Sequence, residues 1–254
     1  MFPRVRDTRS VQLPKRTQLD LSRPATGDPK RLPKIALSRL GAVCSGRVVY
    51  ELNGVLNYLH VGWWLPAHGF SSATRTQSRS ELFELIASKI SERQVLYLEF
   101  GVHEGNSMRL WAELLENPRS HLHGFDSFLG LPHDWSLEGH ERGYFSTEGL
   151  VPRIDDPRVR FYPGWFEDTL PGYEWPDHEV LVVMLDADLY SSTTTVLNFV
   201  ADKLVPGSYL YFDQFHHRAD ELRAFAEFYD EHDMSFRLLG TTRDCSSVLF
   251  QRTD

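Results

Sequence analysis

The sequence predicts an α/β protein: a doubly wound, mostly parallel seven-stranded sheet with an antiparallel C-terminal hairpin and an N-terminal helical cap. Three observations lead there. Short apolar runs between residues 95 and 250 alternate with segments whose apolar residues recur at helical spacing, the signature of βα units. One run, Val180–Leu185, is apolar at every position, as a strand buried on both faces is. Acids stand at the ends of the runs: Asp126, Asp186 and Asp213, with Glu99 as a fourth. In such sheets ligands sit beyond the carboxyl ends of the strands, where the strand order reverses.

The elements follow in order. From Val48 to Leu59 the apolar positions have helical spacing, and Trp63, Trp64 and Pro66 are expected to end that helix. Ser78 and Glu81 have capping-box spacing ahead of Leu82, Phe83, Ile86 and Ile90. Residues 41–92 therefore read as a helical cap, and residues 93–254 as the main domain. Strands are expected at Val95–Phe100, His121–Phe125, Val159–Tyr162, Val180–Leu185 and Tyr209–Phe212. Helices are expected at Ser107–Leu115, Thr193–Leu204 and Ala219–Tyr229. Phe236–Leu239 and Val248–Phe250 flank GTTRD as a hairpin, and 129–157 is a long connection whose aromatic and His content suits a lid.

Bulk properties narrow the function. The 254 residues carry a net charge of -8, but residues 1–40 hold ten Lys or Arg against three Asp and five of the fourteen prolines. That segment reads as a basic, Pro-rich flexible arm on an acidic body, which argues against nucleic acid as the main partner. No run reaches the ~20 apolar residues of a membrane helix, and the start lacks the apolar core of a secretory signal. Two cysteines far apart, Cys44 and Cys245, make neither a disulfide scaffold nor a zinc site. They fit a reducing, cytoplasmic setting.

The chemistry concentrates in LYLEFGVHEGNS, residues 96–107. Gly101 and Gly105 permit a tight turn with close backbone approach, and Ser107 opens a helix whose free N–H groups favour a carboxylate or phosphate. Asp126, at the end of the next strand, suits ribose hydroxyls. The spacing is E-x-G-x-x-x-G, and Glu104 stands where a pyrophosphate wants no acid. A nucleoside with a cationic, amino-acid-like tail fits better than a dinucleotide, which describes S-adenosylmethionine.

LYLEFGVHEGNS, GFDSFLGLP, GWFEDTLP, LDADLYSSTTTVL and FDQF occur in that order. Over about residues 80–250 the chain thereby resembles the class I S-adenosylmethionine-dependent methyltransferases, and more narrowly the macrocin and mycinamicin sugar O-methyltransferases. That resemblance implies a Rossmann-like methyltransferase domain and an O-methyltransferase acting on a hydroxyl of a small-molecule, sugar-containing acceptor. It also favours a homo-oligomer. It implies a donor site in which Gly101 and Gly105 shape the turn, Ser107 holds the methionine carboxylate and Glu99 lies near the amino group. Asp126 would take the ribose, Ser127 and Phe128 would lie beside the adenosine, and Trp165 would border the adenine. Asp186 matches the family's catalytic base and metal position, and Asp213 a second metal ligand. Gln214 stands where the family commonly has another acid; its amide oxygen would complete a weakened Mg²⁺ site.

Other roles stay open. Asp188 reads as a cap for the helix starting near Ser192, and His216 and His217 as alternative bases. Trp63 and Trp64 belong to a core, a contact or the acceptor pocket. An NAD-dependent oxidoreductase and a non-catalytic nucleoside-binding relative are the competing functions.

Overall fold

The computed structural model describes residues 31–71, 73–136 and 138–254, so the basic arm lies outside the described residues up to residue 30. The chain divides into two compact units, 1–46 and 47–254. The described part of the first is a helix, α1 (Arg31–Gly41). The second is built around one sheet. Among the described residues no helix is long and apolar enough to cross a membrane.

In the second unit, helix α2 (Gly46–Ala67) leads to a three-residue strand β1 (Thr74–Thr76) and helix α3 (Arg79–Ile90). Then come β2 (Val95–Phe100), α4 (Asn106–Leu114), β3 (His121–Asp126) and β4 (Val159–Pro163). A short helix α5 (Phe166–Thr169), β5 (Val180–Leu185), α6 (Tyr190–Val200), β6 (Tyr209–Phe212) and α7 (Glu221–Glu231) follow. The chain closes with β7 (Phe236–Thr242) and β8 (Val248–Arg252).

Eight strands form one sheet in the order β1-β7-β8-β6-β5-β2-β3-β4. The expected seven are all present, and β8 lies antiparallel between β6 and β7 as the hairpin predicts. The eighth, β1, pairs in parallel with β7 at the edge. Its sequence, Thr-Arg-Thr, has no apolar run to announce it. The middle of the sheet is parallel, with β5 beside β2, and from that pair the connections run outward in opposite directions. A topological switch point therefore lies at the carboxyl ends of β2 and β5.

Alternation along each strand separates two apolar layers. Leu96, Leu98 and Phe100 of β2 pack with Leu181, Val183 and Leu185 of β5 under α6, α7 and the end of α2. Val95 and Tyr97 pack on the other face with Leu82, Phe83 and Ile86 of α3 and Met108 and Trp111 of α4. Residues 79–90, expected in a cap ahead of the domain, thus cover one face of the sheet itself.

Helix α2 continues through Trp63, Trp64 and Pro66, beyond its expected end. Pro66 has no N–H to give the preceding turn, and the helix stops one residue later, at Ala67, after which Gly69 at φ +82° turns the chain out. Trp64 is buried against Phe70, Phe215 and Phe225, whereas Trp63 is exposed. Neither lines the large cavity described next.

Candidate active site

Strand ends are tied side by side by backbone hydrogen bonds, and this brings the acids together. The Gly101 N–H donates to Phe125 O (3.0 Å), Asp186 N–H to Phe100 O (2.9 Å) and Asp213 N–H to Leu185 O (3.0 Å). Above these ends opens a cavity of about 570 Å³. Glu99, Gly101, Ser107, Asp126, Ser127, Trp165, Asp186, Asp213 and Gln214 all line it. Two expected residues do not, Gly105 and Phe128.

Gly101 has φ +91°, and a Cβ there would collide with the carbonyl oxygen of Asp186. The close approach that requires glycine is thus between β2 and β5. Gly105 (φ +75°) occupies the cap position of α4, and a Cβ on it would stand 3.0 Å from Cγ of Pro152 in the long connection. It shapes the turn from behind the cavity wall. Ser107 lies in the first turn of α4 and is buried.

Glu99 shares a sheet face with Tyr97 and is 1% exposed. Tyr97 Oη donates to its Oε2 at 3.0 Å. Burial pushes the Glu99 carboxyl up to about 8; the Tyr97 hydrogen bond and Arg79 oppose that, while Asp126 and Asp213 add to it.

Asp126 is held by the backbone. Its Oδ2 accepts from Val102 N–H and His103 N–H, both at 2.8 Å, and its Oδ1 from Phe128 N–H at 2.7 Å. Three of about four strong acceptor positions are therefore filled by the two turns it joins. Phe128 departs from expectation. It takes φ +59° and its ring is buried, packed edge-on to Phe161. The turn rotates the ring away from the cavity and leaves Ser127 on the wall. Trp165 sits at the cap position of α5 and also lines the cavity.

The β5 and β6 ends carry an acid cluster. Asp213 Oδ1 accepts from Tyr211 Oη at 2.9 Å. Arg79 Nη1 lies 3.3 Å from Asp213 Oδ1 and 3.7 Å from Asp186 Oδ2. Burial, then Asp213 and Asp188, hold the Asp186 carboxyl well above the usual range, with Arg79 opposing. Asp188 does not cap a helix: α6 begins at Tyr190, whose N–H is taken by Asp220 Oδ1 at 3.2 Å. Asp188 instead lines the cavity at φ +58°, and burial, followed by Asp213, Asp220 and Asp126, pushes its carboxyl up to about 7. Behind it Glu221 is fully buried; its Oε2 accepts from Gln214 N–H at 2.9 Å, and burial pushes this carboxyl well up.

This donor set does not fit a divalent ion. A guanidinium already sits between Asp186 and Asp213, Gln214 offers only an amide, and among the described residues no three His, Cys, Asp or Glu side chains are arranged to hold a metal. The histidines offered as alternative bases are engaged elsewhere. His217 Nδ1 lies 3.2 Å from Glu138 Oε1, and His216 stacks on Tyr58. Neither lines the cavity.

The long connection is organised rather than structureless. Leu131 N–H donates to Tyr144 O (2.9 Å) and Gly143 N–H to Leu131 O (2.9 Å), and Trp135 Nε1 donates to Asp220 Oδ2 (2.9 Å). Gly130, Leu131, Pro132, His133 and Phe145 line the cavity, so this segment forms part of its wall. Arg79 and the cavity role of Asp188 escaped the sequence reading. For Arg79 the local signal, a capping box, marks only a helix start; its partners lie more than a hundred positions on.

Comparison with known proteins gives a consistent picture. A family model described as macrocin O-methyltransferase (TylF) matches residues 66–252. The chain is similar to an 8-demethyl-8-(2,3-dimethoxy-alpha-L-rhamnosyl)-tetracenomycin-C 4'-O-methyltransferase of Streptomyces olivaceus, 40% identical over 37% of this chain and 32% of that protein. It is also similar to a mycinamicin III 3''-O-methyltransferase of Micromonospora griseorubida, 34% identical over 48% of this chain and 44% of that one. The chain spans less than half the length of these relatives. In fold it resembles the O-methyltransferase NovP, with a TM-score of 0.55 at 21% identity, covering 83% of this chain and 100% of NovP.

Proposed function

The chain belongs to the macrocin O-methyltransferase family, and on that premise we propose that it transfers the methyl group of S-adenosylmethionine to a hydroxyl of a small, sugar-containing acceptor. The observation that carries this is the convergence of Glu99, Ser107, Asp126 and the Asp186–Asp188 turn on one cavity at the switch point. In this reading the donor's amino-acid end lies between Glu99 and the first turn of α4, where helix N–H groups meet the carboxylate and Glu99 meets the ammonium. The one open acceptor position on Asp126 takes a ribose hydroxyl. Trp165 and Ser127 border the base.

The acceptor oxygen attacks the methyl carbon in line with the C–S bond. An O–CH₃ bond forms, the C–S bond breaks with its electron pair going to sulfur, and S-adenosylhomocysteine leaves. Holding the two reactants in line supplies most of the acceleration, up to ~7–11 kcal/mol of barrier. The hydroxyl proton goes to a carboxylate. Asp186 was the residue expected, and it keeps a place in the cluster. The pairing of Asp186 with Arg79 and the poise of Asp188 near neutrality favour Asp188 as the acceptor of that proton. The cover formed by 130–133 and Phe145 excludes water and walls the acceptor.

Calorimetry with S-adenosylhomocysteine, with NADH as control, tests the reading: binding of the first and none of the second is expected. A panel of glycosylated hydroxyl compounds incubated with labelled donor then reads methyl transfer. NADH binding without S-adenosylhomocysteine binding would return the chain to the oxidoreductase alternative.

A further inference from the structure

Glu99, Asp126, Asp186, Asp188 and Asp213 line the cavity with Glu221 buried behind them, and among the described residues Arg79 is the one arginine or lysine that lines it too. Arg79 opens α3, whose start is held from both sides: Ser78 Oγ accepts from Glu81 N–H (3.4 Å), and Glu81 Oε2 accepts from the N–H of Gln77, one residue before the cap (3.0 Å). The next turns of α3 are locked into the sheet by Leu82, Phe83 and Ile86, each at most 1% exposed. The base of the Arg79 side chain is therefore fixed. A cation in a helix's first turn is opposed by the helix dipole, so its place there rests on the two carboxylates it faces. Its Nη1 stands between them, 3.3 Å from Asp213 and 3.7 Å from Asp186.

Resting on the methyl-transfer reading above, we propose that Arg79 is the resident counter-cation of the Asp186–Asp213 pair and takes the place that a divalent ion holds in metal-assisted O-methyl transfer, so that this chain works without a metal. A guanidinium stays charged at all working pH values. An incoming ion would have to displace it and would find two carboxylates and the Gln214 amide. With Nη1 committed to the acids, the donors on Nε and Nη2 remain for an oxygen in the cavity. There they stabilise negative charge developing on the acceptor hydroxyl as its proton leaves.

The test uses the full chain stripped with a chelator, as wild type, as Arg79→Gln, and as the double variant Arg79→Gln/Gln214→Asp. Free Mn²⁺ is followed by electron paramagnetic resonance, S-adenosylhomocysteine binding by calorimetry and folding by thermal melting. The expected result is weak Mn²⁺ binding by the wild type. Removal of the guanidinium should tighten it by about tenfold or more, and the third acid should tighten it again. Donor product should bind stripped and Mn²⁺-loaded wild type alike. Wild-type Mn²⁺ affinity equal to that of the double variant, or methyl transfer abolished by chelation and restored by Mg²⁺, overturns the proposal. Failure of S-adenosylhomocysteine to bind any folded form overturns the methyl-transfer reading instead, while the Mn²⁺ arms still decide whether Arg79 holds the acids.

Discussion

The proposed tasks of Glu99 and Asp188 differ because their surroundings differ. Glu99, with its carboxyl at about 8, is mostly protonated in the free protein at pH 7. An ammonium placed beside it favours the charged form, so donor binding at pH 7 should release about one proton. Calorimetry in buffers of different ionisation enthalpy measures that number; in Glu99→Gln it should fall towards zero and the affinity should drop about tenfold. The same shift sets a stability trend. A folded value raised above the ordinary 4.5 means that the unfolded chain gives up its proton first as pH rises. The free protein should therefore lose stability between pH ~4.5 and ~8, and Glu99→Gln should flatten that slope in denaturant titrations. For Asp188→Asn the expected loss is in turnover, roughly 10²–10⁴-fold, with donor binding kept. A comparable loss of donor affinity would make Asp188 a binding group instead. The positions are partly legible: Glu99, Asp126, Asp186 and Asp213 announce themselves at strand ends, whereas Asp188 reads as a cap because nothing local shows that Asp220, thirty positions beyond Tyr190, takes the Tyr190 N–H.

Elements were read most surely where burial leaves one solution. Val95–Phe100, Val180–Leu185 and Tyr209–Phe212 have the predicted bounds because each strand is buried on both faces. The polar edge strand Thr74–Thr76 was invisible, since only its pairing with β7 makes it a strand. The sequence ends α2 too early because the Trp64 pocket is made by Phe215 and Phe225, far along the chain. Trp64→Ala should cost about 3–5 kcal/mol in denaturant unfolding, while Trp63→Ala at the exposed neighbour should cost little. Gly101→Ala forces β2 and β5 apart, and a chain that melts at least several degrees lower, or fails to fold, is the expected outcome by circular dichroism. An unchanged melt would mean that the turn yields.

At the scale of the molecule, a net charge of -8 and a cavity edged by carboxylates favour a cation as visitor. S-adenosylmethionine carries a sulfonium that its product lacks, so its association rate should fall more steeply with added salt than that of S-adenosylhomocysteine in stopped-flow traces. The contact between Pro152 and Gly105 has a consequence of its own. The long connection leans on the back of the turn proposed to grip the donor, and Phe145 stands edge-on to His103 of that same turn. If the donor and acceptor bind as proposed, occupancy of the turn should steady the neighbouring segment, and by reciprocity a seated acceptor should slow escape of the nucleoside. On the methyl-transfer reading the two guests are expected in sequence, nucleoside before sugar; product-inhibition kinetics in which S-adenosylhomocysteine competes with S-adenosylmethionine alone check that order.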